Sequence, residues 1–169
     1  MPANRQAYPR AERVGAILDA ACVEFGERGF DRTTIAAIAR RSGMTSANVH
    51  YYYETKDRLF VACVERAYDL LFADLETEPD PIERLHRYVE FHASARQFRN
   101  SLYSLASINP KVEMLLRRRG DWVTDTVAMI AADALSITSV ATIVAGLLEM
   151  APTEPGARTI LVHAVARLT

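Results

Sequence analysis

Residues 45–56 read TSANVHYYYETK, a stretch crowded with side chains suited to recognition. Thr45, Ser46, Asn48, His50, Tyr51 and Tyr52 carry donors or acceptors, Ala47 offers a bare methyl, and Lys56 supplies a cation. Asparagine can pair with an adenine edge and an alanine methyl suits a thymine methyl. Hydroxyl, imidazole and ammonium groups can donate to phosphate, which positions a protein on a duplex without reading its sequence. Successive helical residues point about 100° apart, so the triplet Tyr51–Tyr52–Tyr53 cannot all face one core. With Val49 set inward, Tyr53 falls on nearly the same side and is expected in the core. Ala47 and Tyr51 then point away from it, Asn48 and Tyr52 form one shoulder, and Ser46 and His50 form the other.

Such a face needs elements to hold it. Val14, Ile17, Leu18, Ala21 and Phe25 repeat at the spacing of one buried helix face, and Gly29 in ERGF is a plausible stop. Thr33 or Thr34 can cap a short second helix that turns Ile35, Ile38 and Ala39 inward. Gly43 breaks the pattern before a third helix from about Thr45 to Tyr53. Thr55 is then the expected N-cap of a long fourth helix, with Asp57 in its first turn and Leu59, Phe60, Cys63, Ala67, Leu70 and Leu71 on its apolar face. Short helix, tight turn, short helix is the helix-turn-helix arrangement. It requires a small residue at the crossing, a residue tolerant of positive φ in the turn, and an apolar anchor facing back. Ala39, Gly43 and Val49 supply these, although an ordinary corner between two helices can show the first two.

The segment from RVGAILDAACVEFGERGF through TTIAAIARRSGMTSANVHYYYETKDRLF resembles the DNA-binding domain of tetracycline-repressor (TetR) family regulators over about residues 11–65. The resemblance implies an all-α homodimer whose N-terminal three-helix domain binds operator DNA and whose C-terminal helical bundle takes a small effector. Family members touch DNA from the start of the second helix, from the third helix, and from a lysine opening the fourth. The matching positions here are Thr33 and Thr34; Thr45, Ser46, Ala47, Asn48, His50, Tyr51 and Tyr52; and Lys56. Three positions depart from the family: Ala36 stands where a long polar residue is common, His50 where tyrosine is usual, and Tyr53 where phenylalanine is usual. A histidine there is expected to strengthen phosphate binding at low pH. Arg5, Arg10 and Arg13 form either a basic arm along the groove or a solvated tail.

The acidic ETEPDP stretch, with its two prolines, closes the fourth helix. Further helices are expected from about 81 to 98, around 101–108, from Pro110 with a bend or break at Gly120, and over 136–150 and 154–168, for about nine in all. The domain division is expected at 1–55 for DNA binding and 56–169 for effector binding and dimerisation. The last two helices are rich in small residues, as a two-fold dimer interface would need. Candidate effector-pocket residues are His86, Phe91, His92, Phe98, Tyr103, Met114 and Trp122. RRRG at 117–120 reads as a solvated basic patch, with contact to an anionic effector as the lesser alternative.

Composition restricts the remaining classes. Half the residues are apolar and the net charge is −1. Residues 1–60 hold nine basic against seven acidic side chains, and 61–169 hold eleven against fourteen, so the positive excess lies on the N-terminal side. The apolar runs fall short of the roughly 20 residues that span a bilayer, and the polar N-terminus lacks a signal-peptide core, so a cytoplasmic protein without a membrane partner is expected. Cys22 and Cys63 read as small hydrophobes in a reducing compartment. His86 has Glu83 and Glu90 at helical spacing, but such pairs are common and neither metal nor cofactor is expected. No nucleophile–base pair or phosphate loop suggests an enzyme. The resemblance implies a ligand-responsive regulator, a repressor, that binds a palindromic operator as a homodimer. The alternative is a helical sensor and dimerisation module with weak or lost DNA binding.

Overall fold

In the computed structural model, residues 9–130 are described, together with Ser139, Val140, Thr142, Val144 and Gly146. These described residues form α1 (Arg10–Arg32), α2 (Ile35–Arg41), α3 (Ser46–Tyr52), α4 (Lys56–Glu76), α5 (Pro81–Ser94), α6 (Arg96–Ala106) and α7 (Pro110–Ala128), with no strand among them. The fold is all-α. The helices expected over 136–150 and 154–168 lie outside the described residues, apart from the five between 139 and 146, which are helical. Two compact units divide inside α4, Met1–Ala67 and Tyr68–Thr169. No helix among the described residues is long and apolar enough to cross a membrane.

In the first unit, α1 buries Ile17, Leu18, Ala21 and Phe25 on one face, as their spacing requires. The helix is interrupted at Gly29, whose φ of 77° and ψ of 172° only glycine adopts readily, and one further turn follows. Phe25, Phe30 and Phe60 close a triangle with ring centroids 5.0–5.9 Å apart. Thr34 caps α2 by accepting from the Ala37 amide at 3.1 Å. Gly43, at φ 69°, ends α2 in a Schellman turn: the Met44 amide donates to the Ala39 carbonyl and the Gly43 amide to Arg40. Arg41 ties the end of α2 to α1 through the buried Glu24 at 2.8 Å and the exposed Glu27 at 3.1 Å. Thr55 caps α4 by accepting from the Arg58 amide. Cys22 and Cys63 are both free thiols.

The α4 face differs from the expected one at Leu70, which is 62% exposed. Val64, Tyr68, Phe72 and Leu75 carry the buried stripe instead, because their steps of 4, 4 and 3 follow the helix repeat past Leu71.

In the second unit, Asp80 and Asn109 cap α5 and α7 ahead of Pro81 and Pro110, where a missing amide hydrogen costs nothing. The single helix expected from 81 to 98 is two: Ala95 leaves helical geometry at φ −101° and ψ 37°, so Phe98 belongs to α6 and that helix starts at Arg96 rather than near 101. The chain does not break at Gly120, through which α7 runs without interruption. The core of this unit holds a circuit of five rings: Tyr68–Phe72 at 5.7 Å, Phe72–Trp122 at 5.3 Å, Trp122–Tyr88 at 5.1 Å, Tyr88–His92 at 4.3 Å and His92–Tyr68 at 5.7 Å. His92 Nδ1 donates to the Tyr88 carbonyl at 2.9 Å, which fixes the tautomer, so the Tyr68 hydroxyl donates to Nε2 at 3.2 Å.

Gly120→Ala should stabilise the chain by about 0.5–1 kcal/mol, since its helical site is open to a Cβ, while Gly29→Ala should cost about 1–3 kcal/mol in urea unfolding. Burial holds the His92 pKa down at about 4; the bond to the Tyr88 carbonyl opposes the shift, and the charges of Arg119 and Arg99 add to it. The unfolded chain therefore binds the extra proton between its ordinary value and about 4. Stability should fall across that window on acidification, by about 3 kcal/mol. His92→Gln should flatten that step in denaturant titrations at successive pH values.

Candidate nucleic-acid interface

The third helix is short, and its position is set by what surrounds it. Thr45 caps it by accepting from the Asn48 amide at 3.2 Å, and Val49 anchors it as a fully buried side chain. Ser46, Ala47, Asn48, His50 and Tyr51 are exposed together on the remaining surface, with Tyr51 79% exposed. Tyr52 is half-buried and meets Tyr51 edge to face at 5.2 Å.

Tyr53 sits where α3 ends, with extended backbone at φ −131° and ψ 102°. The helical-face argument therefore stops one residue short of it, and it is half-buried rather than plugging the core. Burial pushes its phenol up from the ordinary value.

His50 Nδ1 lies 3.4 Å from the Glu54 carbonyl, which can only accept. A hydrogen on Nδ1 is within reach of that carbonyl, and Nε2 faces away from it.

Thr34 and Thr33 differ in role. Thr34 is exposed at the start of α2. Thr33 is 1% exposed, and its hydroxyl lies 2.7 Å from the Gly29 carbonyl and 2.9 Å from that of Glu24. Its side chain closes the end of α1 and leaves no surface for a duplex. Lys56, expected as a point charge for phosphate, is half-buried. Its ammonium donates to the Phe30 carbonyl at 2.9 Å and the Thr33 carbonyl at 3.2 Å and sits 4.2 Å from the centre of the Phe30 ring. A cation at the C-terminal end of a helix is favoured by the carbonyl dipoles there. Arg10 is exposed and Arg13 half-buried at the beginning of α1, whereas Arg5 lies outside the described residues.

The effector candidates scatter. His92 and Trp122 lie in the ring circuit, and Phe91 meets His92 edge on at 5.3 Å. Tyr103 receives a hydrogen bond from Arg119 at 2.7 Å. Phe98 is buried on α6, Met114 is 65% exposed, and His86 contacts Glu83 at 3.6 Å and Glu90 at 3.4 Å. Sequence reasoning missed Tyr68, Phe72 and Tyr88. Their signal was available: Tyr68 and Phe72, like Tyr88 and His92, stand four apart and share a helix face. RRRG is not uniformly solvated either. Arg117 pairs with Glu113 at 2.7 Å and Arg118 with Asp69 at 3.3 Å, whereas Arg119 is part-buried.

Residues 17–63 match the model of the bacterial regulatory proteins, tetR family. Over 87 residues the chain is 36% identical to the HTH-type transcriptional regulator BetI of Brucella anthropi, covering 48% of this chain and 44% of that protein. The match thus spans less than half the length of that curated relative. A TetR-like transcriptional regulator from Rhodococcus sp. RHA1 shares the fold at a TM-score of 0.68 and 25% identity, over 94% of this chain and 96% of that one. AibR, solved with isovaleryl coenzyme A and operator DNA, shares the fold at a TM-score of 0.63 and 18% identity, over 92% and 97%.

Lys56→Met keeps the aliphatic stem but leaves two carbonyls without their cation. It should lower stability by about 1–3 kcal/mol and weaken DNA binding on all sequences alike, measured by unfolding and by duplex titration side by side.

Proposed function

We propose that the chain, whose residues 17–63 match the model of the bacterial regulatory proteins, tetR family, is a ligand-responsive transcriptional regulator that binds a palindromic operator as a homodimer. The observation that carries this is the exposed set Ser46, Ala47, Asn48, His50 and Tyr51 on a helix anchored by buried Val49. In this reading Asn48 and Ala47 touch base edges, while Tyr51, Tyr52, Thr34, Thr45, Ser46 and His50 touch phosphate. Lys56 acts chiefly by holding the end of α1, with any remaining donor turned to the backbone of the duplex. The DNA-reading domain is residues 1–55 and the rest takes the effector. Dimerisation runs through the helices expected at 136–150 and 154–168, which places two third helices about 34 Å apart, or a multiple of that.

The family's regulators are not enzymes, and this chain is read as one of them, acting as a repressor released by a small molecule. Release requires differential affinity: the effector weakens DNA binding by the same factor by which DNA weakens effector binding. Exposed Ala36 on α2, where a long polar residue would reach further, is the feature that favours the rival module without DNA binding.

Selection of bound duplexes from a random pool at low salt decides between them. A near-palindrome should be enriched, and Asn48→Ala should lose about 1–3 kcal/mol of preference at one position per half-site. Failure to enrich any sequence would favour the rival. On the enriched duplex, His50→Ala should weaken binding on all sequences alike, and unchanged affinity would remove His50 from the phosphate contacts.

A further inference from the structure

In the second unit α7 carries a part-buried cation, Arg119, that pairs with no carboxylate among the described residues. Arg119 is part-buried, its Nη2 donates to the Tyr103 hydroxyl, and its guanidinium lies 5.1 Å from the centre of that ring. Its Nη1 is buried and has no hydrogen-bond partner. Arg119 also interacts electrostatically with the Tyr88 and Tyr68 phenols, so it borders the ring circuit at its polar ends. Tyr88 is 0% exposed, and its hydroxyl is likewise buried without a partner. Among the described residues no carboxylate pairs with Arg119, although Arg117 and Arg118 on the same helix each have one.

Arg99, the other guanidinium bordering His92, is 4% exposed and its Nε is also buried without a partner. Its Nη1 nevertheless donates to the His92 carbonyl at 3.3 Å, in the last turn of α5, where the helix dipole offsets a cation. Among the described residues Arg119 has phenols as its polar neighbours.

Orphaned donors beside a buried cation are expensive, and an unpaired buried charge more so. The arrangement selects what would relieve it. A ring cage alone suits a quaternary ammonium, but the guanidinium at its edge repels one. An arginine fork matches a carboxylate or a phosphate. One free guanidinium nitrogen beside a phenolic donor matches a monoanion, with the Arg99 charge offset by the end of α5, and the surrounding rings favour an apolar body.

We propose that this unit binds a small monocarboxylic acid, its carboxylate received by Arg119 Nη1 and the Tyr88 hydroxyl and its apolar body laid against the aromatic side chains around Trp122. The exposed Tyr103 marks the open side. The proposal rests on the ligand-responsive reading above and names the class of effector for it.

Trp122 is the chain's one tryptophan, so its fluorescence reports on this site. The full chain is titrated with benzoate, with hexanoate and with choline, and affinity for the enriched duplex is measured in the same solutions. At least one carboxylate should give a saturable change and choline none. Arg119→Met should weaken binding at least about tenfold and Tyr88→Phe severalfold. Neither variant should unfold the chain, since one removes an unpaired charge and the other an unpaired hydroxyl; thermal melts check this, and Arg119→Lys serves as the second charge variant. No saturable response to either acid, an equal response to choline, or an unchanged response in Arg119→Met would overturn the proposal. If carboxylates bind but leave duplex affinity unchanged, the site stands and the ligand-responsive reading falls. If the duplex binds and no carboxylate does, the reverse holds.

Discussion

The placement of α3 depends on how the C-terminal end of α1 is closed. A helix leaves its last carbonyls without intrahelical partners, and here they are met from two directions. Gly29 takes a backbone conformation that turns the chain off the helix, and the Thr33 hydroxyl folds back onto the carbonyls of Gly29 and Glu24. The Lys56 ammonium then bridges the Phe30 and Thr33 carbonyls over the face of Phe30. These contacts determine where α2 begins and where α4 begins. The third helix lies between those two points in sequence, so its exposed face is oriented by a cluster that need not itself touch a base. Glu24 and Arg41 add a second tie from α1 to the other end of α2.

This division of labour explains which residues were legible in the sequence. Periodicity identified Ile17, Phe25, Ile38 and Val49 as core, since burial follows the helix repeat wherever the helix is regular. Gly43 was legible because a Schellman turn needs positive φ. The sequence reading and the structure part where the repeat ends or where the chemistry is ambiguous. Tyr53 lies past the last helical residue, so the angular argument did not reach it. Thr33 and Lys56 are polar, and polarity alone cannot distinguish a side chain that faces a duplex from one that caps a neighbouring helix. Leu70 failed because the stripe on α4 follows Val64, Tyr68, Phe72 and Leu75.

The second unit was less legible for a related reason. Its ring circuit joins residues from α4, α5 and α7, and no window on one helix reveals a closed loop of five. The three consecutive arginines looked alike in sequence but differ in fate, two paired at the surface and one beside the phenols. Helix phase separates them, since each is turned about 100° from the next. The interior so formed is polar at its edge and aromatic at its centre.

The most direct test of the central claim, that the exposed face of the third helix meets DNA, is amide hydrogen exchange with and without a selected duplex. Protection should appear across residues 45–52, with the amides of α1 around Ile17 unchanged. Protection absent from 45–52, or confined to residues beyond 67, would contradict the account.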